Sequence, residues 1–196
     1  MKRVLFICFF FMSVFAASAQ WRIAPEVGLS ALNHNGMGDG WRPAIKAGAA
    51  IEYTIKPNFS IESGLYYTQR GYSLAGKVTL PTDWPFDENP SLVRHLLQMP
   101  FRACFSWKIA DDTRFFAGVG PYVGIYFAND WKQTRFLEDA HSGNTFDWGL
   151  SMAAGFEVKQ WFSRFGYDIS FGNEFGEGVS AKYHVGTISV GYKFSL

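Results

Sequence analysis

Disulfides are the first thing this sequence cannot build. It has two cysteines: Cys8 lies in the N-terminal apolar stretch, and Cys104 stands alone in the rest of the chain. The fold must therefore rest on backbone pairing and packing. Beyond the N-terminal stretch there is also no run of about twenty apolar residues, the length a membrane-crossing helix needs. If the chain spans a membrane, it must do so as a closed barrel, the other structure that satisfies every backbone group in lipid. An excess of one charge is missing too. Eighteen Lys and Arg face seventeen Asp and Glu, for a net charge of +1, which gives no electrostatic footprint for nucleic acid. No spacing resembles a zinc site or an EF-hand. Asn89-Pro90-Ser91 is no glycosylation acceptor, because its middle residue is proline. No catalytic residue, cofactor or metal site is expected.

The N-terminus is the first feature that is present. Lys2 and Arg3 precede an apolar run from Val4 to Ala17, and Ala17-Ser18-Ala19 follows as a small-x-small site. This is the pattern of a secretory signal peptide. Residues 1–19 are expected to be the signal peptide and residues 20–196 a single outer-membrane β-barrel domain. Cys8 lies inside the apolar core of the leader, where a lipoprotein cysteine would follow it.

After the leader, a two-residue alternation keeps returning. From Phe146 to Val158 the residues Phe146, Trp148, Leu150, Met152, Ala154, Phe156 and Val158 are apolar. Asp147, Gly149, Ser151, Ala153, Gly155 and Glu157 lie between them. Successive side chains on a strand point to opposite faces, so this is a strand with one apolar side. Seven further segments read the same way: Trp21 to Leu32, Pro43 to Ile55, Phe59 to Tyr72, Leu96 to Ile109, Thr113 to Phe127, Trp161 to Phe171 and Lys182 to Leu196. Short turns at 56–58, 110–112 and 159–160 alternate with longer loops at 33–42, 73–95, 128–144 and 172–181. Long loops at one end and short turns at the other are the pattern of outer-membrane barrels, whose long loops lie outside the cell. The expectation is an all-β fold: an eight-stranded antiparallel up-and-down transmembrane β-barrel with both termini at the short-turn, periplasmic end.

Alternation alone does not say which face points inward, and a soluble ligand-binding barrel also has eight strands. Three features favour the apolar face outside. The polar rows are rich in Gly, Ala and Ser, which suit a narrow interior. The apolar rows carry Trp, Phe and Tyr towards their ends, like the aromatic girdles of membrane barrels. The chain ends Tyr192-Lys193-Phe194-Ser195-Leu196, like the assembly signal that the barrel-assembly machinery reads. The interior is then expected to hold Glu26, Lys46, Glu52, Glu62, Arg70, Arg102, Arg114, Asp147, Glu157, Arg164, Asp168 and Lys193. Buried charges must pair, so these should form a plug rather than an ion path. Arg102, Arg164, Glu62 and Glu157 are expected in one network.

Chemistry is harder to find. A lipid-modifying enzyme needs a nucleophile and a base within hydrogen-bond reach near the outer leaflet. His34, His95, His141 and His184 all fall in or near the long loops, and Ser142 follows His141 with Glu138 and Asp139 before it. Adjacent residues rarely face one another, so a polar loop is the better reading of that trio. The acidic residues Asp39, Asp83, Asp87, Glu88, Asp130, Glu138, Asp139, Glu174 and Glu177 could bridge to lipopolysaccharide phosphates through divalent cations, or simply form a solvated rim. Trp84, Pro85 and Phe86 in one loop, with Trp131 and Phe136 in another, could mark a protein partner or fold over the barrel mouth.

A resemblance adds to this reading. Ser63-Gly64-Leu65-Tyr66-Tyr67-Thr68-Gln69-Arg70-Gly71 resembles the "SGLLYSQKG" strand of the PorT-like outer-membrane β-barrel proteins of Bacteroidota. Leu97-Gln98-Met99-Pro100-Phe101-Arg102 is similar to their "LEIPLL" segment, and Gly120-Pro121-Tyr122-Val123-Gly124 to their "GPYLG" strand. Asp147-Trp148-Gly149-Leu150 with Gly155-Phe156-Glu157 resembles "DFGL…GAGVE". Gln98 departs from the usual acid, and Phe101 and Arg102 from the usual leucines. The resemblance implies a barrel of the OmpA or OmpX size class in the outer membrane and, more distantly, a link to secretion or surface assembly. Its expected partners are outer-membrane lipids, lipopolysaccharide, the barrel-assembly machinery during insertion and a protein at the external loops. A monomer is expected. The competing readings are a lipid-modifying enzyme, a narrow channel and a soluble barrel.

Overall fold

The computed structural model describes residues 20–35, 42–73, 91–132, 145–172 and 182–196. Every regular element in them is a strand: β1 (Trp21–Asn35), β2 (Arg42–Lys56), β3 (Phe59–Ser73), β4 (Ser91–Ala110), β5 (Thr113–Lys132), β6 (Phe146–Val158), β7 (Trp161–Ser170), β8 (Lys182–Tyr192) and β9 (Phe194–Ser195). Each pairs antiparallel with the next up to β8, and β1 pairs with both β2 and β8, so the sheet closes. β9 continues β8 against β1 in the same register, which makes eight staves. The expected barrel is what forms, and β4 and β5 reach further towards the long-loop end than the alternation indicated. Trp131 and His95 therefore stand on strands.

The pairings fix the barrel's shape. Trp21 pairs with Tyr53, Tyr53 with Ile61, Ile61 with Ala103 and Ala103 with Val119. Val119 then pairs with Met152, Met152 with Tyr167, Tyr167 with Gly186, and Gly186 with Ala31. One circuit thus returns to β1 ten residues further along. That stagger over eight strands tilts them by roughly 40° and leaves an interior just wide enough for side chains. The ladder is interrupted beside Pro25, Pro100 and Pro121, which have no N–H to offer.

The faces are as expected. Leu29, Trp107, Phe127, Phe165 and Ile188 are exposed on the outer wall, whereas Glu26, Glu62, Arg70, Arg102 and Arg164 are buried. Rings crowd the outer wall at the short-turn end: Trp21 packs on Tyr53, Phe59 on Phe105, Trp107 on Phe115, Phe115 on Phe156, and Trp161 on Tyr192. A second belt at the long-loop end includes, among the described residues, Tyr67, His95, Phe127, Trp148 and Phe171.

The interior glycines do more than keep a narrow space clear. Four of them lie directly across a strand pair from an inward ring: Gly48 from Tyr66, Gly149 from Tyr122, Gly155 from Phe116 and Gly191 from Phe162. A Cβ at Gly155 would sit 2.8 Å from Phe116 Cζ, and one at Gly149 would sit 2.7 Å from Tyr122 Cε1. The ring lies over the bare backbone, an arrangement that recovers packing a glycine would otherwise lose.

Candidate functional site

Among the described residues, the barrel interior is where the fold concentrates chemistry. At the short-turn end, Arg22 of β1 and Lys193 after β8 each bridge Glu52 of β2 and Glu157 of β6. Arg22 lies 2.6 Å from Glu52 and 2.8 Å from Glu157, and Lys193 lies 2.9 Å and 2.7 Å from the same two. β2 and β6 are four staves apart, so this ring of two cations and two carboxylates crosses the lumen.

Above it, Phe116 of β5 and Phe162 of β7 meet edge to face, 6.4 Å between centroids. Lys193 lies 5.0 Å from the centre of the Phe116 ring, and Arg164 lies 5.1 Å from that of Phe162. The rings thus take a cation from each ionic group, with a cation–π attraction on each side.

The middle group is the tightest. Glu62 of β3 accepts from Arg102 Nε at 3.0 Å and Nη2 at 2.7 Å, and its other oxygen accepts from Arg164 Nη2. Arg164 also reaches Glu26 at 2.8 Å, and Glu26 lies 3.3 Å from Lys46. Arg102 donates to Ser151 Oγ at 3.2 Å. Arg164 on β7 and Glu62 on β3 again lie four staves apart, so the lumen is crossed a second time.

Among the described residues the long-loop end is looser. Asp147 accepts from Tyr122 at 3.0 Å and from Ser170. Asp168 accepts from Gln98 at 3.0 Å and sits 3.8 Å from Arg70 Nη2, beyond hydrogen-bond range. Arg94 lies over the Tyr126 ring at 3.7 Å. Arg70 and Arg94 are direct cross-strand partners.

Two expectations need correction. Arg114 has inward parity but is exposed, because it is the second residue of β5 and sits at the short-turn rim. Glu157 is not in the network of Glu62, Arg102 and Arg164. It belongs to the ring at the short-turn end, and the Phe116–Phe162 pair lies between the two groups. The sequence reading missed Arg22 and Arg94, which lie near strand ends, and both phenylalanines. Parity was the available signal: Arg22 shares its row with Glu26, Phe116 with Tyr122, and Phe162 with Arg164. Two of the three departures from the PorT-like pattern, Arg102 and Gln98, turn out to be members of the plug, while Phe101 faces outward. Arg102 forks onto Glu62, and the Gln98 amide donates to Asp168 where an acid would face a like charge.

Among the described residues there is no group of three His, Cys, Asp or Glu side chains placed to hold a metal. His141, Ser142, Glu138 and Asp139 lie outside the described residues, as do residues 1–19, 84–86 and 136. His95 and His184 are on strands at the long-loop end and face outward. Tyr67 Oη lies 2.7 Å from His95 Nδ1, and Tyr167 Oη lies 2.9 Å from His184 Nδ1.

Residues 15–176 match the family described as "Outer membrane protein beta-barrel domain". The chain belongs to this family. No curated protein matches it. Its fold is similar to that of Neisserial surface protein A (10% identity, 90% of this chain and 98% of that one, TM-score 0.52). It is equally similar to the outer membrane protein OprG from Pseudomonas aeruginosa (12% identity, 90% and 97%, TM-score 0.52). At these identities the likeness shows the shared fold. With the family match, it makes the chain an outer-membrane barrel.

Proposed function

We propose that the protein is a non-enzymatic, non-conducting outer-membrane barrel that acts through the segments joining its strands at the long-loop end, with that end facing out of the cell. The observation that carries this reading is the double crossing of the lumen, by the ring around Lys193 and by the Glu62–Arg164 bridge, with Phe116 and Phe162 between them. Between the ring and Glu62 there is a cavity of about 10 Å³ lined by Ser60, Cys104 and Ser106, the size of a single water. Neither a hydrated ion nor a substrate passes such a plug. A PorT-like role in secretion or surface assembly fits a barrel whose wall serves as an anchor, and residues 1–19 serve this reading as the export signal.

The experiment is conductance in planar bilayers. The native protein gives no steps, and the Phe116→Ala/Phe162→Ala/Glu62→Ala variant gives small ones once refolded. Ohmic steps from the native barrel would sink the plug. A secretion defect on deleting the gene, rescued by the native protein, tests the cellular role separately.

A further inference from the structure

Two buried arginines of the lumen use the same pair of atoms differently. Arg102 turns its Nε–Nη2 edge onto Glu62, with hydrogen bonds of 3.0 and 2.7 Å. That edge is the fork with which a guanidinium grips an oxyanion. Arg70 Nε and Nη2 form the same edge. Both atoms are buried, and neither has a hydrogen-bond partner among the described residues. Arg22 Nε and Arg164 Nε also lack a hydrogen bond, but each of those guanidiniums is held by two carboxylates.

The carboxylates near Arg70 are engaged by neutral donors. Asp168 Oδ2 accepts from Gln98 at 3.0 Å and stays 3.8 Å from Arg70 Nη2. Asp147 accepts from Tyr122 on one oxygen and from Ser170 on the other. On β1, β2 and β8 the inward residues at this end are Leu32, Ala44, Tyr183 and Val185, a packed cluster that supplies no carboxylate. Arg70 also faces a second cation. Arg94 is its direct partner across β3–β4, is buried as well, and lies over the Tyr126 ring at 3.7 Å. Like charges placed so repel, and buried donors without an acceptor carry a desolvation cost. One occupant relieves both. A tetrahedral oxyanion has enough oxygens to take the Arg70 fork and still lie against the charge of Arg94. A carboxylate spends both its oxygens on a single fork.

We propose that Arg70 and Arg94 bind one tetrahedral oxyanion, a phosphate or sulfate group, at the long-loop end of the lumen. Arg70 grips it through Nε and Nη2, and Arg94 supplies the second positive charge. The group enters from the long-loop end, because the lumen is crossed twice on the other side of Arg70. Its source is either the free ion or a phosphorylated or sulfated larger molecule. The route of entry rests on the plug proposed above. Binding itself does not, so the titration below and the conductance experiment fail separately.

The test uses the full barrel, folded in zwitterionic detergent and checked by heat-modifiable migration. Inorganic phosphate, sulfate, glycerophosphate and chloride are titrated by isothermal calorimetry at constant ionic strength. One phosphate or one sulfate per barrel is expected, each displacing the other. Arg70→Met weakens binding tenfold or more, the scale of hydrogen bonds to a charged group. Arg70→Lys keeps the charge, loses the fork and also weakens binding. If Arg70→Met does not fold, Arg70→Lys decides alone. Lys108→Met removes an exposed cation at the short-turn end and changes nothing. Glycerophosphate bound as well as phosphate assigns the site to a phosphorylated larger molecule, and inorganic phosphate bound alone assigns it to the free ion. Both outcomes support the site. Four results would overturn it: no saturable binding of phosphate or sulfate, native-like binding by Arg70→Met or Arg70→Lys, an equal loss in Lys108→Met, or chloride bound as tightly as phosphate.

Discussion

Arg164 and Arg70 are both buried to 1% exposure in the same lumen, and they are treated differently. Arg164, in the half nearer the short turns, reaches two carboxylates, with Glu26 at 2.8 Å and Glu62 closer still. Arg70, in the half nearer the long loops, has one ion-pair partner among the described residues, at 3.8 Å, and its Nε and Nη2 make no hydrogen bond there. The outer wall at the short-turn end carries crowded rings. The short-turn half is built as a foundation, cross-braced through the lumen. Polar atoms without a hydrogen bond occur in both halves, Arg22 Nε and Arg164 Nε in one and Arg70 Nε and Gln98 Oε1 in the other, so the difference lies in the ion pairs.

The largest effect should come from breaking the foundation. Glu62→Leu removes the carboxylate shared by Arg102 and Arg164 and leaves two buried guanidiniums short of a counter-charge. Losing one partner of a buried pair costs about 3–5 kcal/mol. Urea unfolding of the barrel in lipid vesicles should show that loss, and a cost under 1 kcal/mol would mean the braces contribute little. Phe116→Ala comes next, at roughly 3 kcal/mol, the low end for deleting a packed aromatic. Water and the nearby Lys193 can enter the gap, which keeps the figure low.

Much of this architecture could be read from period-two alternation, because burial in a membrane barrel is set by parity. Parity placed Glu26, Glu62, Arg102 and Arg164 inside and Trp107 and Phe165 outside, as found. It could not say that Glu62 meets Arg102 and Arg164 while Glu157 meets Arg22 and Lys193. Those contacts depend on the ten-residue stagger, which sets the height of each side chain and emerges only from the register of all eight pairings. The same limit hid the glycine–ring pairs. Gly155 and Phe116 are 39 positions apart, and nothing local marks them as partners. Arg114 failed for another reason. Parity gives a direction but not a depth, and a strand end points inward into water.

The outer wall offers a smaller test of the same contrast. Trp107 touches both Phe105 and Phe115 in the crowded belt. Trp107→Ala should cost about 1 kcal/mol or somewhat more in the same urea assay, since each aromatic contact is worth roughly 0.5–1.5 kcal/mol beyond its area. His95→Ala in the belt at the long-loop end should cost less. If the order reverses, the belt at the short-turn end is not part of the foundation.

The smallest effect should come from Arg70→Met, and it is the sharpest test of the comparison. Arg70 faces Arg94 directly across β3–β4, and like charges placed so are destabilising. Its removal also removes buried donors that the protein leaves unmet, each of which carries a desolvation cost of about 1–3 kcal/mol. Asp168 keeps the Gln98 amide at 3.0 Å and is not abandoned. Methionine nearly matches the length of the side chain, so Tyr122 keeps a neighbour. The terms cancel, and the change in unfolding free energy should stay within about 1 kcal/mol of zero. Arg164→Met, which takes one of two cations from both Glu62 and Glu26, should cost several times more. Equal losses from the two substitutions would show that both halves are braced alike. In that case the long-loop half would owe its looser geometry to something other than weak ion pairing.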